Sequence, residues 1–366
     1  MVTEAAVREA LREVHDPEIG RPIEDIGMLA GIAVDGGDVR VDVLLTIEGC
    51  PLRDRITQDV TAAVQPLPGV DRVSVSLTPM SQQQRETLVG KLRGPNAAGA
   101  TKIRFSPKTA IIAVASGKGG VGKSSVTVNL AAALAADGYK VGVLDADVWG
   151  FSVPRMLGAE GQPVGFNDMI LPLEAHGVKV ISMGFFVPED TPVIWRGPML
   201  HKAIEQFLGD VYWGDLDVLL CDLPPGTGDV SISLASFLPG ASMLVVTTPQ
   251  EAAHTVAQRA GKMAERTNLR PLGVIENMSW FVCPHCGERE LLFGEGGGAR
   301  VAETLGVPLL AQVPLVPAVR EGGDHGTPIV VSDPESPAAL ALREAADAVR
   351  RAATSKVGKP LTVMAT

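Results

Sequence analysis

From residue 109 onward, short apolar runs alternate with stretches whose apolar residues recur at helical spacing. Ile111, Ile112, Ala113, Val114 and Ala115 form one continuous apolar run, the pattern of a buried strand. After a glycine-rich stretch, Val126, Leu130, Ala133 and Leu134 follow at the spacing of a helix face. The same reading predicts strands at 140–144, 217–222, 242–247, 273–276 and 307–313, and helices at 250–266, 299–305 and 337–353. Strands that alternate with helices predict an α/β fold, a mainly parallel sheet flanked by helices. Residues 1–80 predict a separate small α/β domain. It has helical spacing over 5–14, a stop at His15-Asp16-Pro17-Glu18, strands at 32–34 and 39–45 around Asp35-Gly36-Gly37-Asp38, a helix over 51–64 and an alternating strand over 72–77. Between the two, 81–108 is polar and then rich in Gly, Ala and Pro, which predicts a linker. The large domain then spans 109–355, with a short tail over 356–366.

A chain of 366 residues has room for two domains, and its 46% apolar content suits packed cores. A formal charge of −10 argues against the basic face of a nucleic-acid binder. The start lacks a charged-then-apolar signal, and no apolar run approaches the length of a membrane span. The expectation is a cytoplasmic protein with neither nucleic acid nor membrane as partner. The four cysteines, Cys50, Cys221, Cys283 and Cys286, are too few for a disulfide scaffold.

The chemistry concentrates at Gly117–Ser124, GKGGVGKS, which fits the phosphate-loop pattern G-x-x-x-x-G-K-[ST] at every position. The loop follows a predicted strand and opens a predicted helix, so the expected fold is a P-loop NTPase. Gly117, Gly119, Gly120 and Gly122 allow positive φ and close approach to phosphates. With Val121, their successive N–H groups form an anion nest at a helix N-terminus. Lys123 is expected at the β- and γ-phosphates, Ser124 on Mg²⁺, and Ser125 beside them. Asp145-Ala146-Asp147 closes one predicted strand and Asp222 closes another, where α/β folds bind ligands. Asp222 fits a Walker B acid holding Mg²⁺, and Cys221 before it faces the other side, into the core. Asn277 ends a further strand and offers an amide donor and acceptor. Cys283-Pro284-His285-Cys286-Gly287 is half a zinc site, a redox pair or half a cluster site, and spacing alone leaves all three open. Two chains would bring four thiolates together, for an iron–sulfur cluster or for zinc.

The string KGGVGKS, with Lys118 inside the loop, resembles the deviant Walker A of the MinD/ParA/Mrp group of ATPases. By that resemblance, Lys118 reaches across a homodimer to the partner's ATP and acts in catalysis with Lys123. DADVWGFSVP resembles the group's switch I, which gives Asp147 the attacking water and Asp145 a part in the Mg²⁺ site. LPPGTGD after Asp222 resembles its switch II. In that group an asparagine at the position of Asn277 reads the adenine edge. ENMSWFVCPHCGERELLFGEGGG resembles the cysteine segment of Mrp/ApbC iron–sulfur carriers, so Cys283 and Cys286 are expected to hold a [4Fe-4S] cluster for delivery to apo iron–sulfur proteins. The segment VHDPEIG…GCPL resembles the SufT-like assembly domain and marks Cys50 as an accessory thiol. Two other readings stand beside this one: a MinD/ParA-type positioning ATPase, and a regulatory ATPase stapled by zinc.

Overall fold

The computed structural model describes residues 2–17, 19–46, 52–93, 103, 105–147, 150–166, 169–186, 197–226, 229–250, 253–267, 269–283 and 285–354. Cys50 and the tail over 356–366 lie outside the described residues. The chain divides into two compact units. One comprises Met1–Lys102 with Val164–Leu171 and Asp210–Gly214; the other comprises Ile103–Pro163, Pro172–Gly209 and Asp215–Thr366.

In the first unit, α1 (Glu4–Leu11) starts at Thr3, whose hydroxyl accepts from the Ala6 N–H at 3.2 Å. Strands β1 (Leu29–Asp35) and β2 (Asp38–Leu45) form an antiparallel hairpin, closed by a two-residue turn that needs the positive φ of Gly36 (+62°). Helix α2 (Arg53–Val64) crosses over to β3 (Arg72–Pro79), which pairs parallel with β2. Alternation on β2 sends Val39, Val41 and Val43 inward against Val7, Leu11, Ile56, Val60 and Val64.

The linker expected over 81–108 needs correcting. Residues Gln82–Arg93 form a helix, α3, and it belongs to the first unit. Its Leu88 and Val89 are buried in that unit's core, and Lys91 Nζ donates to the Asp25 carbonyl at 3.2 Å. The start is a capping box: the Ser81 hydroxyl accepts from the Gln84 N–H while the Gln84 side chain accepts from the Ser81 N–H at 2.8 Å. A run of glutamines reads as polar spacer, but it is also a good helix former with one narrow apolar stripe.

The second unit follows the predicted alternation. It runs β4 (Ala110–Ala115), α4 (Lys123–Ala136), β5 (Val141–Asp145) and α5 (Val153–Leu157). The short strands β6 (Val164–Phe166) and β7 (Met169–Leu171) come next in the chain and group with the first unit. Then come β8 (Leu173–Ala175), β9 (Val178–Ser182), α6 (Gly197–Gly209), β10 (Val218–Asp222), α7 (Asp229–Phe237), β11 (Ser242–Thr247) and α8 (Ala253–Thr267). The chain continues through β12 (Arg270–Val282), β13 (Arg289–Glu290), α9 (Gly297–Leu305), β14 (Leu309–Leu315), α10 (Pro317–Asp324), α11 (Ile329–Ser332) and α12 (Pro337–Thr354).

The sheet order is β13-β12-β11-β4-β10-β5-β9-β8, with β14 also on β12; only β13 and β8 run antiparallel. Helix α4 is apolar nearly all round and is buried between the sheet and α12, whose Leu342, Ala345, Ala346 and Val349 close over it. Because β4, β5 and β10 are parallel, in-register neighbours, their C-terminal ends lie at one edge. That edge carries the phosphate loop and the strand-end acids. Among the described residues, no helix is long and apolar enough to cross a membrane.

If α3 is part of the core, Leu88→Ala should cost the first unit about 2–4 kcal/mol. Amides over 85–93 should be protected from hydrogen exchange in the parent protein and should lose that protection in the variant. A free linker would exchange at the unprotected rate in both.

Candidate nucleotide site and cysteine hairpin

The phosphate loop is held open by two left-handed glycines, Gly120 and Gly122, both at φ +77°. Gly122 is also sterically fixed, since a Cβ there would lie 2.3 Å from the Asn277 amide nitrogen. Lys123, Ser124 and Thr127 sit on the first turns of α4 and all turn toward Asp222, at the end of β10. Lys123 Nζ lies 2.6 Å from Asp222 Oδ2, the Ser124 hydroxyl donates to the same oxygen at 2.5 Å, and the Thr127 hydroxyl donates to Oδ1 at 2.7 Å. Asp222 is fully buried and Lys123 is only 6% exposed. A buried ion pair of this kind persists because further hydrogen bonds fill the remaining lone pairs. The arrangement fits Mg·nucleotide: a lysine and a hydroxyl already gathered on one carboxylate, beneath a loop with a helix N-terminus behind it.

Asp145 is fully buried, accepting from the Ser182 hydroxyl at 2.9 Å and from the Asp147 N–H at 3.2 Å. Burial first, and the nearby Asp222 charge second, push its carboxyl up to about 8. Asp147 Oδ2 stands 4.0 Å from Lys123 Nζ. Lys118 donates to the Gln250 side chain of its own chain, and Arg259 on α8 donates to the Gly117 carbonyl at 2.9 Å. Asn277 is buried on β12 and its amide donates to the Val121 carbonyl at 2.9 Å, so the strand carrying it touches the loop directly. The structure thus gathers Lys123, Ser124, Asp145, Asp147 and Asp222 at one edge and adds contacts that the motif did not reveal. Thr127 is one helical turn beyond Lys123 and so shares its face. Ser182 ends β9 beside Asp145, in register with it.

Cys283 and Cys286 stand apart from that cluster, at the tip of the β12–β13 hairpin. The Cys283 N–H donates to the Glu288 carbonyl at 3.0 Å and the Gly287 N–H to the Cys283 carbonyl at 2.9 Å; Gly287 takes φ +71° to close the turn. Backbone N–H groups of Cys286 and then His285, followed by the Cys286 thiol, point at the Cys283 sulfur and lower its pKa. Cys286 is exposed. Cys221, by contrast, is fully buried beside Asp222, and burial pushes its thiol up, as expected of a core residue. Arg289 stacks over Trp280, 5.0 Å from the ring centroid, and stiffens the hairpin's base.

A strand–glycine-loop–helix unit with a buried acid on the adjacent strand defines a P-loop ATPase, with a mostly parallel sheet of the MinD type. Solved structures agree. The nucleotide-binding protein in complex with ADP from Archaeoglobus fulgidus is 39% identical, with a TM-score of 0.52, over 60% of this chain and 87% of that one. The septum site-determining protein MinD complexed with Mg-ADP from Pyrococcus horikoshii is 26% identical, with a TM-score of 0.50, over 66% of this chain and 96% of that one. The family model described as NUBPL iron-transfer P-loop NTPase matches residues 108–350, and an iron–sulfur cluster assembly protein model matches 4–77. The chain belongs to the NUBPL iron-transfer P-loop NTPase family. Its relatives include the iron–sulfur cluster carrier proteins of Mycobacterium leprae, 53% identical over 94% of this chain and 91% of that protein, and of Synechocystis, 44% identical over 93% and 95%.

Asp145 gives a pH test in the nucleotide-free protein. Its raised carboxyl stays protonated in the fold up to about 8, whereas in the unfolded chain it ionises near 4. The fold therefore holds the extra proton, and stability falls as pH rises through that window. Between pH 5.5 and 8 the Asp145→Asn variant should lose less stability than the parent, by on the order of 2 kcal/mol in urea unfolding of the second unit. Equal slopes would mean that Asp145 is ionised throughout.

Proposed function

We propose that this chain is an ATP-driven carrier that holds a [4Fe-4S] cluster between two copies and delivers it to apo iron–sulfur proteins. The observation that carries the proposal is the half-site formed by half-buried Cys283 and exposed Cys286, with the Cys283 thiol biased toward the thiolate. Two thiols at a hairpin tip supply half of a four-thiolate set, and a second copy supplies the rest. The curated relatives named iron–sulfur cluster carrier proteins support the same cargo.

In the nucleotide cycle, Lys123 exchanges the Asp222 carboxylate for the β- and γ-phosphate oxygens. That exchange leaves Asp222 and the Ser124 hydroxyl to hold Mg²⁺, with Asp145 supporting them through the Asp147 backbone. Bound Mg²⁺ neutralises charge on the phosphates. Asp147 orients the attacking water, and Asn277 turns from the Val121 carbonyl to the adenine edge. Lys118 leaves Gln250 and reaches the partner's nucleotide, where a second cation lowers the barrier as an arginine finger does. Exposed apolar side chains support a homodimer that closes over this edge: Phe151, Met199 and Ile232 follow the ends of β5, β9 and β10. Cys50 is an accessory thiol in this scheme, and the protein works in the cytoplasm.

Anaerobic reconstitution tests the cargo. Wild type should bind about four iron and four sulfide per dimer, and Cys283→Ala and Cys286→Ala should each lose them. Tight zinc that survives air exposure, with no sulfide, would make the hairpin a structural staple instead. Iron retained by both variants would move the site elsewhere.

A further inference from the structure

A buried carboxylate of the second unit lies outside the scheme above. Glu276 precedes Asn277 on β12 and is 1% exposed. Its carboxylate takes neutral donors from separate parts of the unit. The Gly298 N–H, in the first turn of α9, donates to Oε2 at 2.5 Å. The Ser279 hydroxyl donates to Oε1 at 2.9 Å, and the Gln312 amide of β14 donates to Oε1 at 2.7 Å. A carboxylate offers acceptors only, so it can satisfy all three at once; a glutamine would turn a donor toward one of them.

The glycines of α9 serve the same joint. A Cβ on Gly298 would lie 2.6 Å from the Cβ of Glu276, and a Cβ on Gly297 would lie 2.5 Å from the Pro249 carbonyl. Helix α9 therefore packs by close backbone approach on two segments that reach the phosphate loop. One is β12, through Asn277 and Val121; the other is the turn after β11, through Gln250 and Lys118.

At this joint β12 is irregular. Met278 takes φ +58°, a left-handed conformation costly for a side chain with a Cβ. The pairing with β14 shifts between Asn277 and Phe281, as in a bulge. Ser279, inside the irregular segment, is fixed through its hydroxyl to both the carboxylate and the backbone carbonyl of Glu276. Beyond it β12 continues to Val282, next to Cys283.

We propose that Glu276 is a positioning residue that holds the bulge of β12, so that nucleotide at the phosphate loop alters the Cys283–Cys286 hairpin through this strand. This rests on the carrier reading for its purpose but not for its test. When nucleotide takes Asn277 from the Val121 carbonyl, the residue next to it stays anchored to α9 and β14. The movement is thereby directed along the irregular segment toward the cysteines instead of dissipating at the strand.

The test uses the metal-free full chain and reads N-ethylmaleimide modification of Cys283 and Cys286 by peptide mass spectrometry, with and without Mg·ATP. In wild type, ATP should change these rates by about fivefold or more. Glu276→Gln should bind ATP with near-normal affinity and lose the rate change. A purely structural role would lower the melting temperature and leave the ATP response intact. An unchanged response in Glu276→Gln, or no response in wild type, overturns the proposal. If Glu276→Gln binds no nucleotide, Gln312→Ala decides by the same two outcomes. The carrier reading fails separately: an ATP-responsive hairpin that takes up no iron and sulfide leaves the relay standing and removes the cargo.

Discussion

The nucleotide edge depends on the carboxylate of Asp222. It is wholly buried at the end of a central strand, where an unpaired charge costs several kcal/mol. Lys123, Ser124 and Thr127 bring it one ammonium and two hydroxyls, all from the first turns of α4. The helix is thus pinned to the sheet at the point where the loop must present its N–H groups. The same carboxylate also raises the proton affinity of Asp145 on the neighbouring strand. The lysine's position follows from this one buried charge, and the proton affinity of Asp145, raised first by its own burial, is raised further by it.

Strand β12 gives the second unit its directionality. It begins in the parallel sheet beside β11, touches the loop through Asn277, becomes irregular at Met278 and ends at Val282, next to Cys283. From Asn277 to Cys283 the chain spans at most about 20 Å. A strand bonded on both sides transmits displacement better than a loop would. Gly298 lets α9 lie close against Glu276 of that strand, and Gly297 lets it lie close against the carbonyls of the turn after β11.

Much of the second unit was legible because its signals are local. An apolar run, a glycine loop and a helical spacing at 111–134 carry strand, nest and helix together, and acids at 145, 147 and 222 end apolar strands. The partners of those residues were not legible. Thr127 meets Asp222 across 95 positions, and Gln312 meets Glu276 across 36. No window on the chain contains both members of either pair. Glu276 itself could have been noticed as an acid inside an apolar strand, where burial demands donors. Helix α3 was missed for a different reason: its polar residues outweigh its stripe of Leu88 and Val89, and only the Ser81–Gln84 capping box announced it.

The central claim is that nucleotide chemistry at the loop governs cargo at the hairpin. It is tested most directly by loading wild type and Lys123→Ala with cluster anaerobically and timing transfer to an apo [4Fe-4S] acceptor, with and without Mg·ATP. The account predicts that ATP changes the transfer half-time of wild type and leaves that of Lys123→Ala unchanged. Equal transfer by both proteins under both conditions would contradict it, and the two sites would then be neighbours on one fold without being parts of one cycle.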